Sequence, residues 1–146
     1  MTVEQLETVS GEVVRAYLEQ VPELNLDFTY AEADAVLAHK GSLFVGYVDD
    51  QPAGFKAGYD RYKDGSYYSW LGGVFPDFRR QQVAQKLLDA QEAWVRNQGY
   101  TAIYVKTRNR FVGMRIFLAK NGYDLVGING PAETDADLRL LHYKVM

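Results

Sequence analysis

The chain has 146 residues, a net charge of −3 and ordinary apolar (47%) and charged (24%) fractions, with no linker or repeat, so it reads as one domain over residues 1–146. Having no cysteine, it can form neither a disulfide nor a thiol nucleophile nor thiolate-bound zinc, and its two histidines, His39 and His142, lie far apart outside any carboxylate cluster, so no metal is expected. The charge argues against a hold on nucleic acid, no apolar run reaches a membrane span, and Glu4 and Glu7 stand where a basic leader would, so a cytoplasmic location is expected.

Ser10 can cap a helix that carries Val13, Val14, Tyr17, Leu18 and Val21 at helical spacing and stops at Pro22. A second short helix follows Thr29, with Ala33, Val36 and Leu37 on one side and Lys40-Gly41 at its end. Residues 43–48 and 53–62 read as strands joined by a turn over 49–52, and after a turn at 63–65 a third strand covers 66–74. The surest helix covers 82–97, where Val83, Ala84, Leu87, Leu88, Trp94 and Val95 recur at three- and four-residue steps. Gly99 ends it, and 102–106 is a strand parallel to 66–74 through this crossover. A helix over 110–120 ends at Asn121-Gly122, and strands over 123–128 and 138–144 flank a polar loop around Pro131. The late strands could pair within the chain or across a homodimer interface.

Residues 72–84, G-G-V-F-P-D-F-R-R-Q-Q-V-A, carry the chain from a strand through a Pro-containing loop into a helix. The first-turn amides of that helix have no intrahelical partner and the dipole is positive there, so an anion against Val83 and Ala84 can be held without a metal, beside Arg79 and Arg80. Taken alone, Arg79 to Gln82 could equally be the solvated first turn of an amphipathic helix, and Gly72-Gly73 a plain strand end or a bulge. Neither a P-loop nor a dinucleotide glycine fingerprint is present to support an unrelated phosphate-binding α/β protein.

The string resembles the acyl-CoA pyrophosphate site of the GCN5-related N-acetyltransferase (GNAT) superfamily, V-x-P-x-[YF]-R followed by [RQ]-x-x-G-x-[GA], with Gln82 in place of the expected Gly. The segment from Asn109 to Gly122-Tyr123 resembles the family's N...A..LY.K.GF pattern. The resemblance covers nearly the whole chain. It implies a single-domain α/β acyl-CoA N-acyltransferase fold: a strand, two helices, three antiparallel strands, a crossover helix, a strand, a helix and two strands. The mixed, mostly antiparallel sheet has a central splayed parallel pair.

The same resemblance implies roles. Backbone at Val74 meets the pantetheine arm, the turn over Arg79, Arg80, Gln81, Gln82, Val83 and Ala84 holds the pyrophosphate, and Asn109 contacts the pantetheine. Read as a residue alone, Asn109 fits the N-cap of the next helix equally well. Gln82 removes a glycine's freedom at positive φ, so the turn either uses ordinary dihedrals or holds CoA less firmly. Leu118 stands where the family usually has its tyrosine acid, and Tyr123 lies in a different role. Tyr68 occupies the position of a carboxylate base in some relatives; a phenol of pKa about 10 would orient a water or the amine instead, or simply pack with Tyr67 and Trp70. Asp60 and Glu32 are carboxylates that could pair with a cationic acceptor.

The implied activity is transfer of acetyl from acetyl-CoA to a primary amine of a small molecule, peptide or protein. Gln82 and Leu118 motivate the alternative, a non-catalytic acyl-CoA-binding or interaction module on the same fold.

Overall fold

The computed structural model describes residues 1–24, 27–129 and 134–146. Strand β1 (Thr2–Gln5) supplies the leading strand, followed by α1 (Gly11–Leu18) and α2 (Tyr30–Leu37). Ser10 caps α1, its hydroxyl accepting from the Val13 amide at 3.2 Å. The helix stops at Leu18, short of Val21, because the next amides tighten onto carbonyls three residues back: Gln20 onto Tyr17 and Val21 onto Leu18. Thr29 and Glu32 form a reciprocal capping box at the start of α2, with bonds of 3.1 and 3.2 Å.

Strands β2 (Ser42–Val48) and β3 (Gln51–Tyr59) form a hairpin whose turn is only Asp49-Asp50, with φ of 48° and 64°. Gln51 and Pro52, expected in the turn, belong to the strand, and a register shift between Gly46 and Tyr47 accommodates them. β3 ends at Tyr59, before the expected Tyr62, because Asp60 turns the chain by accepting the Lys63 amide. After β4 (Ser66–Val74) come α3 (Val83–Asn97), β5 (Ala102–Arg108), α4 (Val112–Lys120), β6 (Asp124–Asn129) and β7 (Arg139–Val145). The loop around Pro131 falls on 130–133, outside the described residues.

The sheet order is β1-β2-β3-β4-β5-β7-β6, and only β4 and β5 run parallel. β6 and β7 pair with each other inside the chain, leaving β6 at an edge. On one face α1 and α2 bury Val14, Leu18 and Leu37 against Leu43, Val45 and Phe55; on the other α3 and α4 bury Leu88, Val95 and Leu118 against Tyr67, Ile103 and Val105. Each such side chain contributes about 1.5–3 kcal/mol on leaving water. No helix among the described residues is long and apolar enough to cross a membrane.

The functional feature of this sheet is where its parallel pair ends. β4 and β5 are in register only from Ser66↔Ala102 to Ser69↔Val105, although β4 continues to Val74 and β5 to Arg108. The register of β4 with β3 jumps at the same place, from Gly58↔Ser69 to Ala57↔Leu71, so Trp70 is an extra residue. The bulge is therefore at Trp70 and not at Gly72-Gly73, which stay in register with Lys56 and Phe55. Gly73 has a different reason to lack a side chain: a Cβ there would lie 2.7 Å from Val21 Cγ2.

Candidate active site

The parting of β4 from β5 opens a cleft of about 970 Å³. Side chains alternate across a strand, so the cleft has two differently lined faces. Lys56, Ala84 and Leu87 line it from the α3 side, while Phe28, Tyr68, Trp70 and Lys106 line it from the α1–α2 side.

At one end lies the start of α3. Its N-cap, Gln82, has φ 63° and ψ 20°, and Arg80 has φ 62°. The left-handed turn is kept without the glycine, at a cost of about 1–2 kcal/mol for each such residue. The expected alternative of ordinary dihedrals at Gln82 does not occur. No side chain caps this helix and no acidic residue occupies its first turn. The first helical amide with a partner is Lys86, bonded to the Gln82 carbonyl at 3.1 Å, so the Val83, Ala84 and Gln85 amides point outward without a backbone partner among the described residues. This is a positive, donor-rich end suited to a diphosphate.

The two arginines beside it differ. Arg79 is already engaged: its Nε donates to the Val74 carbonyl at 3.2 Å and its guanidinium pairs with Glu23 at 2.6 and 2.8 Å. That guanidinium holds the Glu23 carboxyl below its ordinary range. Arg79 thus ties the loop to the α1–α2 connector, whereas Arg80 is exposed, has no ion pair among the described residues and, unlike Arg79, is not among the residues lining the cleft. Exposed Gln81 completes the turn between them.

Beyond the bulge, β4 is paired with β3 on one edge only. Its other edge, up to Val74, faces the cleft with no strand against it. An arm rich in amides can bond there as a strand would. Asn109 is placed elsewhere: its side chain donates to the Asp135 carbonyl at 3.1 Å and its amide to Leu138 at 2.8 Å. It is not an N-cap, because α4 starts two residues later than the sequence suggests and its N-cap is Phe111. Nor is Asn109 among the residues lining the cleft.

Tyr68 and Lys56 face the cleft from opposite sides of the sheet. Tyr68 is 4% exposed, edge-on to Tyr59 at 5.6 Å, with the Arg61 guanidinium 4.9 Å and the Lys106 ammonium 5.9 Å from its ring centre. Burial pushes its phenol up to about 12, partly offset by Arg61, so it is a neutral hydroxyl and not a base at neutral pH. Lys56, which sequence reasoning missed, projects from the middle of β3 toward α3 between Phe44 and Gly72. Burial pushes its ammonium down to about 8, with Glu92 opposing the shift. The visible signal was a lone lysine inside an apolar strand, A-G-F-K-A-G.

Other candidates are spoken for. Leu118 is 1% exposed in the core, and the Tyr123 hydroxyl donates to buried Glu92 at 2.8 Å, where Lys144 also binds at 3.0 Å. Asp60 accepts from Tyr100 and Glu32 serves the α2 cap; neither lines the cleft.

The model of the acetyltransferase (GNAT) family matches residues 7–123. Among solved structures, the chain is similar to the ribosomal-protein-S18-alanine N-acetyltransferase from Escherichia coli (TM-score 0.80, 13% identity, 99% of this chain and 92% of that one). It is similar to an aminoglycoside 6'-N-acetyltransferase complexed with coenzyme A (TM-score 0.78, 16% identity, 99% and 97%). A nourseothricin acetyltransferase matches over a shorter span, 72% of this chain and 65% of that one (TM-score 0.65, 19% identity). No curated protein sequence matches. With the family model spanning the bulged strand, the splay and the uncapped start of α3, the chain belongs to the acetyltransferase (GNAT) family.

Proposed function

We propose that the chain transfers an acyl group, acetyl in the simplest case, from acyl-CoA to a primary amine by direct attack in a ternary complex. The observation that carries this reading is the cleft between β4 and β5, with the uncapped α3 start at one end and an unpaired strand edge along its wall. Acetyl-CoA, as substrate, supplies the activated thioester. The α3 amides and Arg80 hold its diphosphate, and the free edge of β4 up to Val74 holds its arm. Tyr68 stays neutral and presents its hydroxyl and ring to the acceptor.

Lys56 takes the proton-donor role that Leu118 leaves vacant. A group with a pKa of about 8 is matched to a thiol near 8.5, so it can return a proton to the leaving sulfur at little cost, whereas a phenol near 12 cannot. The acceptor amine loses its proton to water. Calorimetry with acetyl-CoA, followed by thiol release across an amine panel, tests the proposal; no binding at millimolar acetyl-CoA would sink it. Burial of Leu118 in the core favours a second reading, an acyl-CoA-binding module without turnover, which the thiol assay separates from the first.

A further inference from the structure

We infer that the acceptor is an amine that itself carries an oxyanion, a carboxylate or a phosphate, held by Arg61, Lys106 and Arg139 around the ring of Tyr68. The inference rests on the reading of the cleft as an acyl-transfer site. Two of the cations approach the same aromatic ring: Arg61 is 4.9 Å and Lys106 5.9 Å from the Tyr68 ring centre. Arg139 opens β7 in register with Arg108, on the sheet face that also carries Lys106. All three line the cleft.

The other arginines of the cleft each have a carboxylate partner: Arg79 pairs with Glu23, and Arg108 and Arg110 share the one carboxylate of Asp137 at 3.8 and 3.2 Å. Arg61, Lys106 and Arg139 form no ion pair among the described residues. Their mutual repulsion registers on Lys106, whose ammonium is held below its ordinary range by burial first and then by Arg61 and Arg139. Cations gathered without counter-charge destabilise a fold, and an aromatic face returns only part of that cost. A bound oxyanion offsets the rest, and the arginine forks suit its geometry. Asp27, the cleft-lining carboxylate without a basic partner among the described residues, lies beside Phe28, which packs on Trp70 at 5.1 Å, and offers an attraction for the amine. A polycationic acceptor would meet repulsion instead.

Thiol release at saturating acetyl-CoA would be measured with acceptor pairs differing only in the anion: amino acids against their amides, and amino-alcohol phosphates against the parent amino alcohols. The anionic member is expected to show kcat/KM at least about tenfold higher, and the two pair types tell which oxyanion is used. In Lys106→Gln and Arg139→Gln the preference should shrink to within about threefold, with Arg139→Lys, which keeps the charge but not the fork, restoring only part of it. Turnover that favours neutral or polycationic amines overturns the inference and leaves the transferase reading standing. A preference retained in both Gln variants overturns the assignment to these residues. If no amine is turned over, the transferase reading fails, and calorimetry of the CoA-loaded protein with N-acetyl amino acids decides the anion subsite: binding lost in Arg139→Gln supports it, and no binding to the parent overturns it.

Discussion

Lys56 of β3 lies in register with Gly72 of β4, so close that a Cβ on Gly72 would come within 3.4 Å of the lysine Cγ. The glycine leaves the lysine stem room along the cleft wall at the point where β4 loses its parallel neighbour.

That placement gives Lys56→Met opposite effects on stability and activity. The ammonium is pushed down to about 8 in the folded chain, while the unfolded chain holds its proton to about 10.5, so folding expels a proton between those values. Stability therefore bears the full cost below pH 8, and rises with pH from 8 to 10.5. Lys56→Met should stabilise the protein at pH 7 by roughly 1–2 kcal/mol, allowing for partial exposure, with the gain fading by about pH 10. Urea denaturation at the two pH values checks this. The same change should lower kcat with little effect on the KM for acetyl-CoA and remove the alkaline limb near pH 8.

Arg80→Glu should weaken acetyl-CoA binding by about tenfold or more, since it places a negative charge where a diphosphate sits. Its side chain is exposed and unpaired among the described residues, so the melting temperature should barely move. Calorimetry and a thermal melt on the same variant read both. An unchanged Kd would remove Arg80 from the phosphate end.

Gln82→Gly should stabilise the protein by about 0.5–1 kcal/mol, because φ is 63° there and glycine adopts it without steric cost, less the entropy glycine adds to the unfolded chain. A rise of a few degrees in Tm is the expected readout. No rise would mean that Gln82 gains something from its side chain that outweighs the backbone cost.

Tyr68→Phe separates a donor from a base. A general base contributes about 10²–10⁴-fold, whereas a neutral hydroxyl that only orients the acceptor contributes far less. With the phenol pushed up to about 12, the expected loss in kcat is under tenfold with no change in the pH profile. A loss beyond a hundredfold would restore Tyr68 as the proton acceptor.

The elements and the phosphate end were legible because they are written in contiguous sequence. Helical spacing from Val83 to Val95 marked α3, and the string through Pro76, Arg79 and Ala84 marked its start. The bulge was not legible: Gly72-Gly73 carries the stronger local signal, yet Trp70 is the extra residue, because pairing with β3 sets the register. Lys56 and the cations around Tyr68 were hidden for a related reason. Arg61, Lys106 and Arg139 come from three distant segments, and only the parting of β4 and β5 decides which side of each strand faces a cleft. Asn109 misled in the other direction, since its fitness as a cap said nothing of the 3₁₀ turn at Asp135–Asp137 that it binds.

Gly73→Ala tests the other constraint on this wall. The new Cβ would lie 2.7 Å from Val21 Cγ2 and 3.0 Å from Cγ1, and Val21 is 5% exposed in the core under α1, with little room to move. Overpacking of this kind costs about 1–3 kcal/mol. The double variant Val21→Ala/Gly73→Ala removes the methyls that the new Cβ meets, so it should be more stable than the sum of the two single losses, by about 1 kcal/mol or more of coupling. Urea denaturation of the four proteins closes the cycle. Since the same contact seats the α1–α2 connector on β4, Gly73→Ala should also raise the acceptor KM more than the acetyl-CoA KM. Additive losses would place the strain in the backbone of β4, away from Val21.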